Sequence, residues 1–217
     1  MKLMDSLLIL NSSIVVQKPF LSFDDIKIEY GKNRIDSYKS GFEALANLNI
    51  YDHFNSIVLI DNTIKSYSDL PKDIINLLPK STEFLLRKKN KVGRKNKGAG
   101  MLDSLKFNKE FFKKYDKVFY FEPRLIINNE SFIKDFISDN SNYFSLESNQ
   151  RVKSGYFGSR SKDLVEFVDK FNTKELINKN LHIENIMYDF YVQKNTKFAN
   201  IEISNWKNYL SNLYEPY

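Results

Sequence analysis

Apolar runs alternate along this chain with segments of helical period, and their order sets the expected fold. Ser6–Ser13 (SLLILNSS) is an apolar run closing in small polar residues, the pattern of a buried strand. Arg34–Ile50 places Ile35, Tyr38, Phe42, Leu45 and Leu48 roughly on one helical face. Ser56–Asn62 (SIVLIDN) stays apolar until it breaks off in Asp61 and Asn62. Central parallel strands look like this where they deliver polar groups at their carboxyl ends. A short helix near Leu70–Leu78, a strand over Thr82–Arg87 and a helix from about Gly100 to Tyr115 follow. Lys117–Glu122 (KVFYFE) is the strongest strand signal, four apolar or aromatic residues ended by an acid. Asn129 is placed to cap a helix running to Ser138. Asn142–Glu147 and Ser154–Arg160 read as strands that pair, Ser161–Phe171 and His182–Asn195 as helices, and Lys197–Ser204 as a last strand. The alternation predicts an α/β protein, Rossmann-like, with a mainly parallel central sheet flanked by helices. No repeat and no Pro/Gly/Ser-rich linker divides the chain, so 1–217 is expected to be a single domain.

Composition narrows the chemistry. With 42% hydrophobic and 15% aromatic residues the chain can fill a core, and it is too apolar for a disordered one. It has no cysteine, which excludes disulfides, thiolate nucleophiles and cysteine zinc sites. Its two histidines, His53 and His182, argue against a histidine-rich metal site or a Ser/His/Asp triad. What remains is carboxylates, lysines, arginines, tyrosines and backbone amides. The apolar amino terminus is interrupted by Asp5, Asn11, Ser12 and Ser13 and has no small-residue cleavage site, so a cytoplasmic location is expected.

The net charge is +6, and it is unevenly spread. Arg87, Lys88, Lys89, Lys91, Arg94, Lys95 and Lys97 fall in one stretch without an acid; setting these seven aside leaves the remainder at −1. One basic loop suits a local anionic ligand or surface better than a long nucleic-acid track.

Three constellations carry candidate chemistry. Asn96–Ser104 (NKGAGMLDS) is neither a Walker loop nor G-x-G-x-x-G, since Asp103 stands where a third glycine belongs. Gly98 and Gly100 nonetheless permit close backbone approach, the helix start offers N–H groups to an anion, and Lys97 adds charge. A surface loop with glycines in turn positions explains the same residues equally well. Glu122-Pro123-Arg124 ends the most apolar strand; if the chain stays extended, Glu122 and Arg124 point the same way. A carboxylate there is either an active-site group or one emerging into solvent. In the helix after His182, Ile183, Ile186, Met187, Phe190 and Tyr191 form the apolar stripe. Glu184 lies beside it, half-buried, as a candidate base or hydroxyl anchor, or simply as an acid favourable to the helix dipole. Asp189 faces away from the stripe, and His182 reads as a surface or cap residue.

In this order the features resemble a small glycosyltransferase of the GT-A type, the nucleotide-diphospho-sugar transferase fold, over roughly Leu7–Tyr191. They are similar to small bacterial and viral transferases associated with surface polysaccharide. The resemblance implies a nucleotide-sugar donor and a glycan, lipid-linked glycan or protein acceptor. It implies that Asn11, Ser12, Ser13 and Asp61 flank the nucleoside, that Arg34 reaches the nucleotide, and that Lys97, Gly98 and Gly100 contact phosphate or ribose. Glu122 would hold a sugar hydroxyl or a metal, Arg124 the diphosphate, and Glu184 would be the general base or acceptor anchor. One departure stands out: where the family often has Asp-x-Asp to hold Mn²⁺ or Mg²⁺, this chain has Glu122-Pro123-Arg124. Arginine cannot ligate a cation, and one carboxylate is a poor site for a hard metal. It can neutralise a diphosphate through bidentate hydrogen bonds. The expectation is therefore a transferase with no resident cofactor and no metal, in which Arg124, Lys97 and Arg94 replace the cation. The same departure also describes an inactive relative. The lysine loop is expected to allow peripheral contact with an anionic membrane, and no nucleic acid is expected, because the loop lacks interleaved aromatics for base stacking. The alternative class is a non-enzymatic protein using Arg87–Lys97 on RNA, single-stranded DNA or an anionic membrane.

Overall fold

A computed structural model describes residues 4–14 and 24–204. The single-domain expectation also takes in 1–3, 15–23 and 205–217, which lie outside the described residues. The strands are β1 (Ser6–Ser12), β2 (Ser56–Asp61), β3 (Glu83–Leu86), β4 (Lys117–Phe121), β5 (Ile126–Ile127), β6 (Asn142–Phe144), β7 (Leu146–Ser148), β8 (Arg151–Val152), β9 (Tyr156–Arg160), β10 (Thr196–Phe198) and β11 (Ile203–Ser204). The helices are α1 (Asp24–Asn47), α2 (Lys72–Ile75), α3 (Lys97–Phe107), α4 (Lys109–Phe112), α5 (Ser131–Ser138), α6 (Ser161–Lys170), α7 (Thr173–Asn178) and α8 (Ile183–Tyr191).

Seven strands form the central sheet in the order β10-β6-β9-β4-β1-β2-β3. β1, β2, β3 and β4 pair in parallel, β9 runs antiparallel to both β4 and β6, and β10 is parallel to β6. Only β9 is reversed, so the expected α/β fold with a mainly parallel sheet is the one observed. Two-stranded ladders β5–β11 and β7–β8 stand apart from it.

The continuous apolar runs follow from burial on both faces. Leu7, Leu8, Ile9 and Leu10 are all fully buried, and each such side chain contributes roughly 1.5–3 kcal/mol over exposure. Alternate residues enter two cores. Leu8 and Leu10 join Phe119 and Phe121 with Tyr38 and Phe42 of α1 and Phe132 and Phe136 of α5. Leu7 and Ile9 join Val118 and Tyr120 with Leu102 of α3, Phe167 of α6 and Met187 of α8. No helix among the described residues is long and apolar enough to cross a membrane.

Several element bounds differ from the sequence pattern, each for a local reason. The helix expected over Gly100–Tyr115 is two. α3 begins at Lys97 because the Asn96 side chain accepts the Ala99 N–H at 2.9 Å, and it ends where Asn108 donates back to the Ser104 carbonyl at 3.0 Å. α7, unforeseen, is capped by the Asn172 side chain accepting from the Lys174 N–H at 2.9 Å. The strand expected over Lys197–Ser204 splits into β10 and β11. At the amino end of β4 sits a fully buried lysine. The Lys117 ammonium donates to the carbonyls of Phe136, Ile137 and Asp139, closing the carboxyl end of α5.

The strand order reverses at β1, with β2 on one side and β4 on the other. In open parallel sheets the ligand crevice lies over the carboxyl ends at such a reversal. Asn11–Ser13, Asp61–Asn62 and Glu122–Arg124 all sit at that end.

Candidate active site

The rim is built first. Asp61 is fully buried, and its carboxylate accepts five hydrogen bonds. Ser12 Oγ (2.6 Å) and the Ile14 N–H (2.9 Å) donate to Oδ2. The Thr63 N–H and Oγ1 (both 2.6 Å) and the Ile64 N–H (3.0 Å) donate to Oδ1. The acid thus ties the end of β1 to the turn after β2. Ser13 continues the tie: its N–H donates to the Tyr38 hydroxyl and its own hydroxyl to the Asn62 side chain, each at 2.8 Å. Its carbonyl accepts from Arg34 Nε at 2.6 Å. Asn11, half-buried, follows Leu7 and Ile9 on the α3 side of the sheet.

Charge gathers around Tyr38, which α1 presents to the strand ends. Arg34 and Arg124 lie over its ring, 5.6 and 6.0 Å from the centroid. Burial pushes the Tyr38 hydroxyl up, and the two guanidinium groups oppose that. Arg124 is itself nearly buried and donates from Nε at 2.7 Å, and again from its NH2 group, to a single oxygen of Glu122. The chain does not stay extended here, as the sequence suggested. It turns, with the Leu125 N–H donating to the Glu122 carbonyl at 3.0 Å, and Pro123 fills the turn position its fixed φ suits. The two side chains meet across the turn all the same. Gly41 of α1 makes this seat possible: a Cβ there would stand 1.9 Å from the Pro123 carbonyl oxygen.

Lys97 completes the cluster from the first turn of α3. The residue as a whole is exposed, and its ammonium is partly buried. Burial and the charge of Arg124, only partly offset by Glu122, push its pKa down to about 8. Arg34 adds to the same effect. Arg34, Arg124 and Lys97 thus lie within electrostatic reach of one another, with Glu122 paired to Arg124 among them. Arg94, the other cation expected to join them, lies exposed in the loop before α3.

Gly98 and Gly100 are needed for packing. A Cβ on Gly98 would lie 2.7 Å from Ile183 Cβ, and one on Gly100 would lie 2.4 Å from Gly93 Cα. The first lets α8 start against α3, and the second lets the basic loop fold back on α3. Asn96 Nδ2 also donates to the Leu181 carbonyl at 3.3 Å, so the starts of the two helices are tied. Glu184, half-buried as expected, follows at once. Its carboxylate accepts from Ser154 Oγ at 2.8 Å and lies 3.7 Å from Arg151, which is paired at 2.7 Å with Glu147. The neighbouring Gly155 carbonyl accepts the Glu122 N–H at 2.8 Å, so one short segment links Glu184 to the end of β4. Asp189 and His182 are exposed.

A small depression adjoins these strand ends, between β2, β3 and α3. Asn62, Arg87, Lys89, Asn90 and Asp103 line it, as do Asp61 and Gly100; Glu122 and Arg124 do not.

The donor set fits a divalent cation poorly. Glu122 is already paired to Arg124 and stands beside Lys97, and among the described residues no three acids or histidines converge as a metal site.

The sequence pattern did not single out Tyr38, Gly41, Arg151 or Ser154 for the site. Gly41 carried a signal, a lone glycine inside a helical repeat. Tyr38 carried none, because it sits in the apolar stripe like a core residue.

No protein-family model and no curated protein matches the chain. Solved structures do. A protein of Desulfovibrio desulfuricans G20, provisionally described as a nucleotide-diphospho-sugar transferase, superposes with a TM-score of 0.52 at 10% identity over 89% of this chain and 79% of that one. The two share a fold. Mouse xyloside xylosyltransferase 1, in its apo form, gives 0.49 at 8% identity, covering 91% and 85% of the two chains. A protein from Aquifex aeolicus VF5 gives 0.47 at 12%. The last two are too distant to carry an argument, and at these identities the likeness is one of fold alone.

Proposed function

We propose that this protein transfers a sugar from a nucleotide-activated donor to a glycan, lipid-linked glycan or protein acceptor, without a divalent cation. The observation that carries the reading is the cluster Arg34–Tyr38–Arg124–Lys97 around Glu122, at the point where the strand order reverses. The donor's diphosphate lies against Arg124, Lys97 and the start of α3. The nucleoside lies along the strand ends, where Asn11 and Ser13 contact it and Ser12 and Asp61 fix the shape of the rim. Gly98 and Gly100 set how closely α3 approaches the phosphate or ribose.

In the reaction the acceptor hydroxyl attacks the anomeric carbon as the bond to the diphosphate oxygen breaks. Glu184 takes the hydroxyl proton, and Glu122 holds a sugar hydroxyl once Arg124 engages phosphate. The leaving diphosphate gains its negative charge beside Arg124 and Lys97, so catalysis is chiefly charge stabilisation. Thermal-shift titration with UDP-, GDP- and CMP-sugars, with and without EDTA, tests this. Stabilisation by one donor that survives EDTA is the expected result. No stabilisation by any of them overturns the transfer reading, and stabilisation abolished by EDTA overturns its metal-free part alone.

A further inference from the structure

The basic loop and the open edge of the sheet form a second surface with its own chemistry. Between Lys88 and Lys95 the loop carries Lys88, Lys89, Lys91, Arg94 and Lys95, all exposed. Arg87 at its base is anchored instead, 3.5 Å from Asp103. The charge is held in place by backbone structure: the Arg94 N–H donates to the Asn90 carbonyl at 3.2 Å, the Lys95 N–H to that of Val92 at 3.0 Å, and Gly93 rests on Gly100. Five cations thus project from a folded turn.

Apolar rings stand beside them. Phe107, at the far end of α3, is 64% exposed, with the Arg87 guanidinium 4.1 Å over its ring. Tyr67 is 51% exposed and meets Phe84 of β3 edge-on at 4.9 Å. β3 is the outer strand of the sheet among the described residues, and Phe84, Leu85 and Leu86 are only half-buried. Aromatic rings thus bracket an unpaired strand edge next to five exposed cations. The pairing of exposed rings with adjacent lysines is what an amphipathic, anionic surface accepts.

We infer that this edge docks on an anionic lipid surface. Such a surface accepts both components, since lysine and arginine meet acidic headgroups while tyrosine and phenylalanine enter the interface. A nucleic acid strand also stacks its bases on exposed rings, but the rest of the chain, at −1, continues no basic track for it. The loop runs directly into Lys97, so docking brings the mouth of the crevice to the lipid. The inference does not depend on sugar transfer.

The test is sedimentation of the full chain with vesicles of pure phosphatidylcholine or of phosphatidylcholine with 30% phosphatidylglycerol. Binding is expected on the anionic vesicles alone, falling more than about ten-fold between 50 and 300 mM NaCl. Each basic residue near the surface contributes about five-fold, so replacing Lys88, Lys89, Lys91, Arg94 and Lys95 together by Gln takes binding below detection. Phe107→Ser, at an exposed position, loses about ten-fold. Equal binding to both vesicles overturns the proposal, as does retention by the five-fold variant. Unchanged binding of Phe107→Ser, or full displacement by a single-stranded oligoribonucleotide or polyglutamate, reassigns the loop to soluble polyanions or acidic proteins and overturns it too.

Discussion

Asp61 and Glu122 end strands that flank β1 on opposite sides, and both have one signature, an apolar run broken by an acid. The protein uses them in opposite ways. Asp61 receives five donors from its own chain and becomes architecture, while Glu122 shares a nearly buried ion pair with Arg124, within electrostatic reach of Lys97. A carboxylate's role is set by who donates to it. Where backbone N–H groups and hydroxyls converge, the acid is satisfied in place. Where a guanidinium donates instead, the acid becomes half of an ion pair that a competing anion can open.

The contrast can be broken first at Asp61. Asp61→Ala orphans several buried donors at once and is expected to cost about 3 kcal/mol or more, read by chemical denaturation. Added nucleotide sugar should not restore that stability. Glu122→Gln is expected to cost about 1–2 kcal/mol, because it takes the charge out of the nearly buried pair with Arg124, and a bound diphosphate should restore most of it. Equal, unrescued losses in the two variants would erase the distinction.

Glu184 sharpens the picture on the acceptor side. Glu184→Gln is expected to lower turnover about 10²–10⁴-fold with donor affinity unchanged, measured by single-turnover assay alongside calorimetry. Arg124→Ala should act the other way, weakening donor binding about 30-fold or more through loss of charge-assisted hydrogen bonds.

The smallest effect concerns Lys97 and pH. Its pKa in the free protein lies at about 8, and a bound anion favours the charged form and raises it. Binding therefore takes up a proton near pH 8. Affinity should stay level below that pH and fall up to ten-fold per unit above it, until the pKa of the complex is reached. Lys97→Met should flatten this slope, and a slope that survives the substitution would assign the proton elsewhere.

Much of the framework was legible in the sequence because burial on both faces of a parallel sheet leaves long apolar runs. Ser6–Ser12, Ser56–Asp61 and Lys117–Phe121 all fall within one residue of their patterns. The reversal of β9 was not legible, since Ser154–Arg160 has the same alternation whichever way it runs. Nor were the fates of Asp61 and Glu122, which depend on Ile14, Thr63 and Ile64 arriving at one and Arg34, Lys97 and Arg124 at the other. At Gly98 and Gly100 the sequence shows room for a close approach, to a ligand or to the chain itself, but not what approaches. Ile183 and Gly93 do. Tyr38 was hidden because its ring belongs to the core while its hydroxyl belongs to the site.

The central claim is that guanidinium and ammonium groups do the work of a cation here. Its most direct test is calorimetric titration of the best-stabilising nucleoside diphosphate, in EDTA and again in excess Mn²⁺. The account predicts the same affinity within about two-fold in both buffers. Binding that appears only with Mn²⁺ would contradict it.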